Sequence, residues 1–256
     1  MRQRLLRRFA AAVVLLAGCA TGQGDPSADG ASAQARIDAR LALANAYYAD
    51  GKYAIALQEV ERALQLAPRD PGALGLRGLA QWQLGEQSQA QDSLRRALRA
   101  DPGNPALQNN LGWMMCEAGQ PARGLAYLED ALAQRRYASP ANAAMNAGRC
   151  SLALGDRARA EAYFRRALSH EPALVPAHAE LARLAFERGD YAAARVPMLA
   201  VLGSGQAAAE DYAIAVRIER KLGDRAAEQS LVSQWQRRFP DSPQLQTYQR
   251  GETNDQ

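Results

Sequence analysis

Cys19, Cys116, Cys150, His170 and His178 carry most of the reactive chemistry in this 256-residue chain. A thiolate can attack a carbonyl, bind a soft metal, carry an acyl chain or close a disulfide, and an imidazole can move a proton or ligate zinc. The spacing argues against most of these. His170 stands near the end of one helical stretch and His178 lies in the next, and no neighbouring cysteine or carboxylate completes a metal set. No nucleophile elbow, phosphate loop or HExxH run occurs, so neither catalysis nor a cofactor is expected, and the histidines read as surface or packing residues.

Compartment decides what the thiols can do, because disulfides persist only where the surroundings oxidise. The chain opens "MRQRLLRRFAAAVVLLAGCATG": four arginines, an apolar run from Phe9 to Ala17 that is short for a bilayer span, then "LAGC". This is a secretory signal over residues 1–18 ending in a lipobox, with cleavage before Cys19 and acylation of its thiol; a plain signal peptide or an uncleaved anchor is the alternative. Ala20 rather than Asp follows the cysteine. Resemblance to bacterial lipoproteins in general implies an outer-membrane destination, with the domain facing the periplasm.

Loss of Arg2, Arg4, Arg7 and Arg8 with the signal reduces 31 basic residues to 27, equal to the 27 acidic ones. A mature chain near neutrality gives no support for nucleic-acid binding, and no stretch matches a nucleic-acid module. Residues 20–35, "ATGQGDPSADGASAQA", hold almost no large apolar side chain; with Cys19 they read as a lipidated flexible tether over 19–35. Residues 244–256 read as a polar tail.

The elements that must position Cys116 and Cys150 announce themselves by self-similarity. Gly51, Gly85, Gly119, Gly155, Gly189 and Gly223 follow one another at intervals of 34, 34, 36, 34 and 34 residues, each between two stretches of helical periodicity. Small residues recur in the same frame, at Ala56, Ala90, Gly124, Ala160 and Ala194 and at Ala63, Ala97, Ala131 and Ala167, where two helices must cross closely. Pro68, Pro102, Pro140, Pro172 and Pro240 punctuate the repeats. The pattern resembles the tetratricopeptide repeat, about six helix-turn-helix copies over residues 36–243, and predicts an all-α solenoid. Pro197 should kink or shorten the second helix of repeat five, and Trp235 replaces the small residue expected in repeat six.

A solenoid of this kind lines its concave face with the first helix of each repeat. The inward positions are Leu41, Asn45, Tyr48, Leu79, Trp82, Asn109 and Trp113 in repeats one to three, and Arg149, Arg183, Arg217, Arg220 and Lys221 in repeats four to six. The groove should therefore be apolar and aromatic in its N-terminal half and basic in its C-terminal half. Trp82 and Trp113 could instead pack between repeats; neither occupies the usual core aromatic position, which favours a partner-binding role, whereas Tyr47 does fall at a core position.

With Cys19 acylated, Cys116 and Cys150 remain near the ends of adjacent first helices. Axes of packed helices lie about 8–10 Å apart, so facing residues can come within disulfide reach. A disulfide between repeats three and four is favoured over two separate buried thiols.

The runs "NNLGWMMCEAGQPARGLAYLEDAL" and "RRYASPANAAMNAGRCSLALGDRARAEAYFRRAL" resemble the type IV pilus biogenesis lipoproteins of the PilF/PilW family. The resemblance spans the lipobox, the six repeats and the paired cysteines. It implies a pilotin: a lipid-anchored protein that binds the secretin subunit of the type IV pilus and promotes its localisation or multimerisation in the outer membrane. It also implies that Cys19 is the acylated cysteine and that Cys116 and Cys150 are the disulfide pair. Departures are the weak fifth repeat and Leu111, where the family often has an aromatic. A lipid-anchored scaffold for envelope assembly or peptidoglycan enzymes is the alternative from another class.

Overall fold

The structure, a computed structural model, describes residues 26–251. The signal region and Cys19 lie outside the described residues. Among the described residues every regular element is helical. The helices come as pairs: α1 (Pro26–Ala49) with α2 (Tyr53–Leu66), α3 (Pro71–Gln83) with α4 (Gln87–Ala100), α5 (Pro105–Glu117) with α6 (Pro121–Ala133), α7 (Pro140–Ala153) with α8 (Arg157–His170), α9 (Val175–Glu187) with α10 (Tyr191–Gly203), and α11 (Ala209–Leu222) with α12 (Arg225–Arg238). A short α13 (Pro243–Gln249) closes the stack. Helices α1 to α12 each pack mainly on their neighbours in sequence, as a solenoid requires, while α13 reaches back to α11.

Local chemistry explains where each pair turns. The six periodic glycines all have φ between 73° and 83°, a left-handed turn that a side chain would strain. In repeats four to six the residue after glycine is an aspartate. Asp156, Asp190 and Asp224 accept the backbone N–H of Arg159, Ala193 and Ala227, capping α8, α10 and α12. Pro71, Pro105, Pro121 and Pro140 each open a helix, where a missing N–H costs nothing. The two extra residues between Gly119 and Gly155 fall in the α6–α7 connection, residues 134–139, which has six residues where the α2–α3, α4–α5 and α8–α9 connections have four.

Close helix crossing is carried by the small residues. Gly112 and Gly124 bring α5 and α6 together, and a Cβ on Gly112 would lie 2.8 Å from the Gly124 carbonyl oxygen. Gly148 of α7 lies under the fully buried ring of Phe164, whose Cδ1 would be 2.6 Å from an added Cβ. Gly148→Ala is therefore expected to destabilise the protein by about 2 kcal/mol through overpacking, read as a lower urea midpoint; an unchanged midpoint would show that the ring has room to move. Apolar side chains form three successive clusters along the stack: Leu74, Leu94, Leu111 and Met115 in the first, Leu128, Met145 and Phe164 in the middle, and Met198, Tyr212, Ile218 and Trp235 in the last.

The structure departs from the sequence reading at two places. Helix α1 starts at Pro26, inside the segment read as a tether, in an Ala-rich stretch that extends the helix N-terminally from its buried Ile37. Residues 244–249, at the start of the segment read as polar tail, belong to α13 instead; Leu245 is buried and Tyr248, three residues on, sits 5.8 Å from the ring of Trp235. Trp235 thus fills the end of the stack as an apolar plug. Pro197 lies inside α10, whose 13 residues are one fewer than those of α8 and α12. The carbonyl it deprives of a partner belongs to exposed Ala193, where water can substitute.

Candidate partner-binding groove and its disulfide

The aromatic half of the groove is built by three first helices. Leu41 and Tyr48 on α1, Leu79 and Trp82 on α3, and Trp113 on α5 are all half-buried and pack against the N-terminal core cluster. The rings of Trp82 and Trp113 lie 5.4 Å apart at 60°, a tilted pair that forms one continuous aromatic shelf. Packing and exposure are therefore both realised: each ring rests on the core and on its partner while keeping part of its surface open. Tyr48 meets Tyr53 edge-on at 5.2 Å, and its hydroxyl accepts from Gln83 Nε2 at 3.4 Å. Asn45 is exposed and folds back to donate to the Leu41 carbonyl at 2.8 Å. Asn109 lies deeper than the rest. It is buried, accepts from Asn146 Nδ2 at 3.0 Å and donates to Asn110 Oδ1 at 3.2 Å, so its side chain links α5 to α7.

In the basic half, Arg149 and Lys221 are exposed, Arg183 pairs with Glu180 at 3.2 Å, and Arg217 lies over the Phe186 ring at 5.2 Å. Arg220 does not join them. Its guanidinium bonds Glu228 at 2.8 Å and stacks on Tyr248 at 5.2 Å, because α13 occupies the place a seventh repeat would take.

At the junction of the two halves, Cys116 and Cys150 are joined by a disulfide with Cα atoms 5.5 Å apart. Cys150 is fully buried and Cys116 half-buried. The bond ties α5 directly to α7 where α5 also approaches Gly124 of α6, so three helices are fixed around one point.

A tetratricopeptide-repeat family model matches residues 41–114 and 117–176, and a second model of the same repeat matches residues 151–215. The crystal structure of PilW, a widely conserved type IV pilus biogenesis factor, is 32% identical and superposes with a TM-score of 0.75, covering 83% of this chain and 98% of that one. The chain belongs to the PilW family of tetratricopeptide-repeat proteins. The type IV pilus assembly protein PilF of Pseudomonas aeruginosa is 26% identical over 246 residues, 94% of this chain and 97% of PilF. The structure of PilF from the same organism shares the fold at a TM-score of 0.79 and 23% identity, covering 86% of this chain and 99% of that one.

As a PilW-family solenoid the chain holds two groove residues that the sequence reading passed over. Phe186 occupies the place of Tyr48 and Trp82 in the 34-residue frame and could have been found from that spacing. Asn146 contacts Asn109 across 37 residues, a pairing that no local pattern signals. Of the histidines, His170 is exposed at the end of α8. His178 Nε2 pairs with the Pro172 carbonyl at 2.8 Å, which pins the α8–α9 connection. Among the described residues no group of three or more His, Cys, Asp or Glu side chains is arranged to hold a metal.

Proposed function

We propose that this chain is a lipid-anchored outer-membrane protein, facing the periplasm, that binds the type IV pilus secretin subunit and promotes its localisation or multimerisation. The aromatic shelf of Trp82 and Trp113, continuous with Leu79 and Tyr48, is the observation that carries the binding role. Exposed apolar surface of this kind marks interaction sites, and aromatic anchors dominate interface energies. PilW is described as a type IV pilus biogenesis factor and PilF as a type IV pilus assembly protein, which directs the choice of partner. Bound in the groove, an apolar segment of an unassembled secretin subunit is withheld from aggregation, and the lipid carries the complex along the lipoprotein export route. The work is binding rather than turnover.

Trp82→Ala or Trp113→Ala is expected to weaken secretin capture from solubilised envelopes by about 1–3 kcal/mol with helical content unchanged by circular dichroism. Capture equal to wild type by both variants would move the site off the aromatic shelf. Recovery of peptidoglycan enzymes instead of the secretin would favour a scaffold of envelope assembly.

The anchor is tested separately. Cys19→Ala should abolish incorporation of radiolabelled palmitate and leave the protein unprocessed or soluble. A wild-type chain that takes up no label would remove the lipoprotein from the proposal.

A further inference from the structure

The two halves of the groove are one ladder. Asn45, Leu79, Trp113, Arg149, Arg183 and Arg217 occupy the same place, six residues before the periodic glycine, on six consecutive first helices. The register is visible at both ends. Trp113 lies against Trp82 of the preceding repeat and Arg217 lies against Phe186 of its preceding repeat, the same diagonal contact in each case. Between them the Cys116–Cys150 bond holds α5 to α7, so the step from the tryptophan rung to the first arginine rung is covalently fixed.

We infer that the groove reads an extended peptide segment at every third residue: two apolar or aromatic side chains on the Leu79 and Trp113 rungs, then acidic side chains on the Arg149, Arg183 and Arg217 rungs. The period follows from lengths. Packed first helices repeat about every 10 Å, and an extended chain advances about 3.3 Å per residue, so successive rungs meet side chains about three apart. The charge follows from the rungs. Arg149 is exposed, Arg183 is held only by Glu180 of its own helix at 3.2 Å, a partner that an acidic ligand side chain can replace, and Arg217 lies on an aromatic face rather than on a carboxylate. An extended occupant is favoured over a helix by the asparagine pair beside the Trp113 rung. Asn146 spends one N–H on Asn109, and its amide oxygen can accept from a peptide N–H that a helix would keep for itself.

This pattern rests on the proposed groove binding and supplies the chemistry of the segment bound. The test uses the detergent-solubilised full chain and fluorescein-labelled synthetic peptides. One set places Leu, Phe, Asp, Asp and Asp three residues apart on a Ser/Gln background, made in both chain directions. The control keeps the composition but makes the three aspartates consecutive. The spaced peptide, in its better direction, should bind roughly tenfold more tightly than the control by fluorescence anisotropy, and Arg183→Gln should erase that preference with circular dichroism unchanged. Equal affinities, or a preference untouched by Arg183→Gln, would overturn the inference. Secretin capture by the same preparation is read in parallel. Capture without peptide ranking overturns the ladder and leaves the secretin proposal standing; ranking without capture supports the ladder and removes the secretin as its occupant.

Discussion

Unfolded in urea with and without dithiothreitol, the protein should lose about 3–4 kcal/mol of stability when the Cys116–Cys150 bond is reduced. The estimate follows from the sequence separation of 34 residues, which sets the loop that the bond closes in the unfolded chain. Paired Cys116→Ala and Cys150→Ala replacements should give the same loss without reductant, and the loss should then be insensitive to dithiothreitol. Because the bond joins repeats that otherwise interact only as neighbours, the effect should concentrate at the middle of the stack. Hydrogen exchange should accelerate first in α5 and α7. Identical unfolding in both redox states, or free thiols found on both cysteines by non-reducing peptide mapping of protein from the periplasm, would contradict the expectation.

A second large effect is expected at the junction of repeats five and six. Arg195 of α10 reaches Glu219 of α11 and bonds Asp224 at 2.7 Å, while its Nε donates to Glu219 at 2.8 Å. The Glu219 side chain is only 5% exposed, and this guanidinium is the partner that satisfies its oxygens. Arg195→Met keeps the stem and removes the counter-ion of a nearly buried carboxylate, and should clearly lower the urea midpoint at neutral pH. Asp224 adds a pH dependence of definite sign. The Ala227 N–H first, and Arg195 second, hold its carboxyl below the ordinary 3.8. A depressed carboxyl stabilises the fold fully above the unfolded value and loses that contribution as pH falls through the folded one. Wild type should therefore tolerate acid to a lower pH than Arg195→Met, followed by circular dichroism across a titration from neutrality to below pH 3.8. A variant as stable as wild type at neutral pH would show that Glu219 finds another partner.

What could be read from the sequence is what recurs at a fixed interval. The periodic glycines mark the inner turn of every pair, and the same count places Leu79, Trp113 and Arg217 on equivalent turns of their helices before any contact is seen. What could not be read is held by residues that pair through space only once. Arg195 meets Asp224 across 29 residues and Asn146 meets Asn109 across 37, and neither pairing has a counterpart in another repeat. Arg220 illustrates the limit of counting. By position it belongs with the groove cations, yet it lies in the last repeat and its surroundings are Glu228 and Tyr248. The terminal helix escaped for a related reason, since two apolar residues in a polar setting become a helix face only once Trp235 is there to receive them.

That terminal helix bears on something other than stability. A solenoid is a lattice in one dimension, and the last layer of any lattice is a surface on which growth can continue. Without α13, Trp235 and the apolar side of α11 would be such a growth front, open to the first layer of another molecule and so to head-to-tail filaments. Seven residues with a single fully buried leucine are enough to end the series. Among the described residues the cap thus limits the number of rungs, and only a ladder of limited length can measure the length of what it binds.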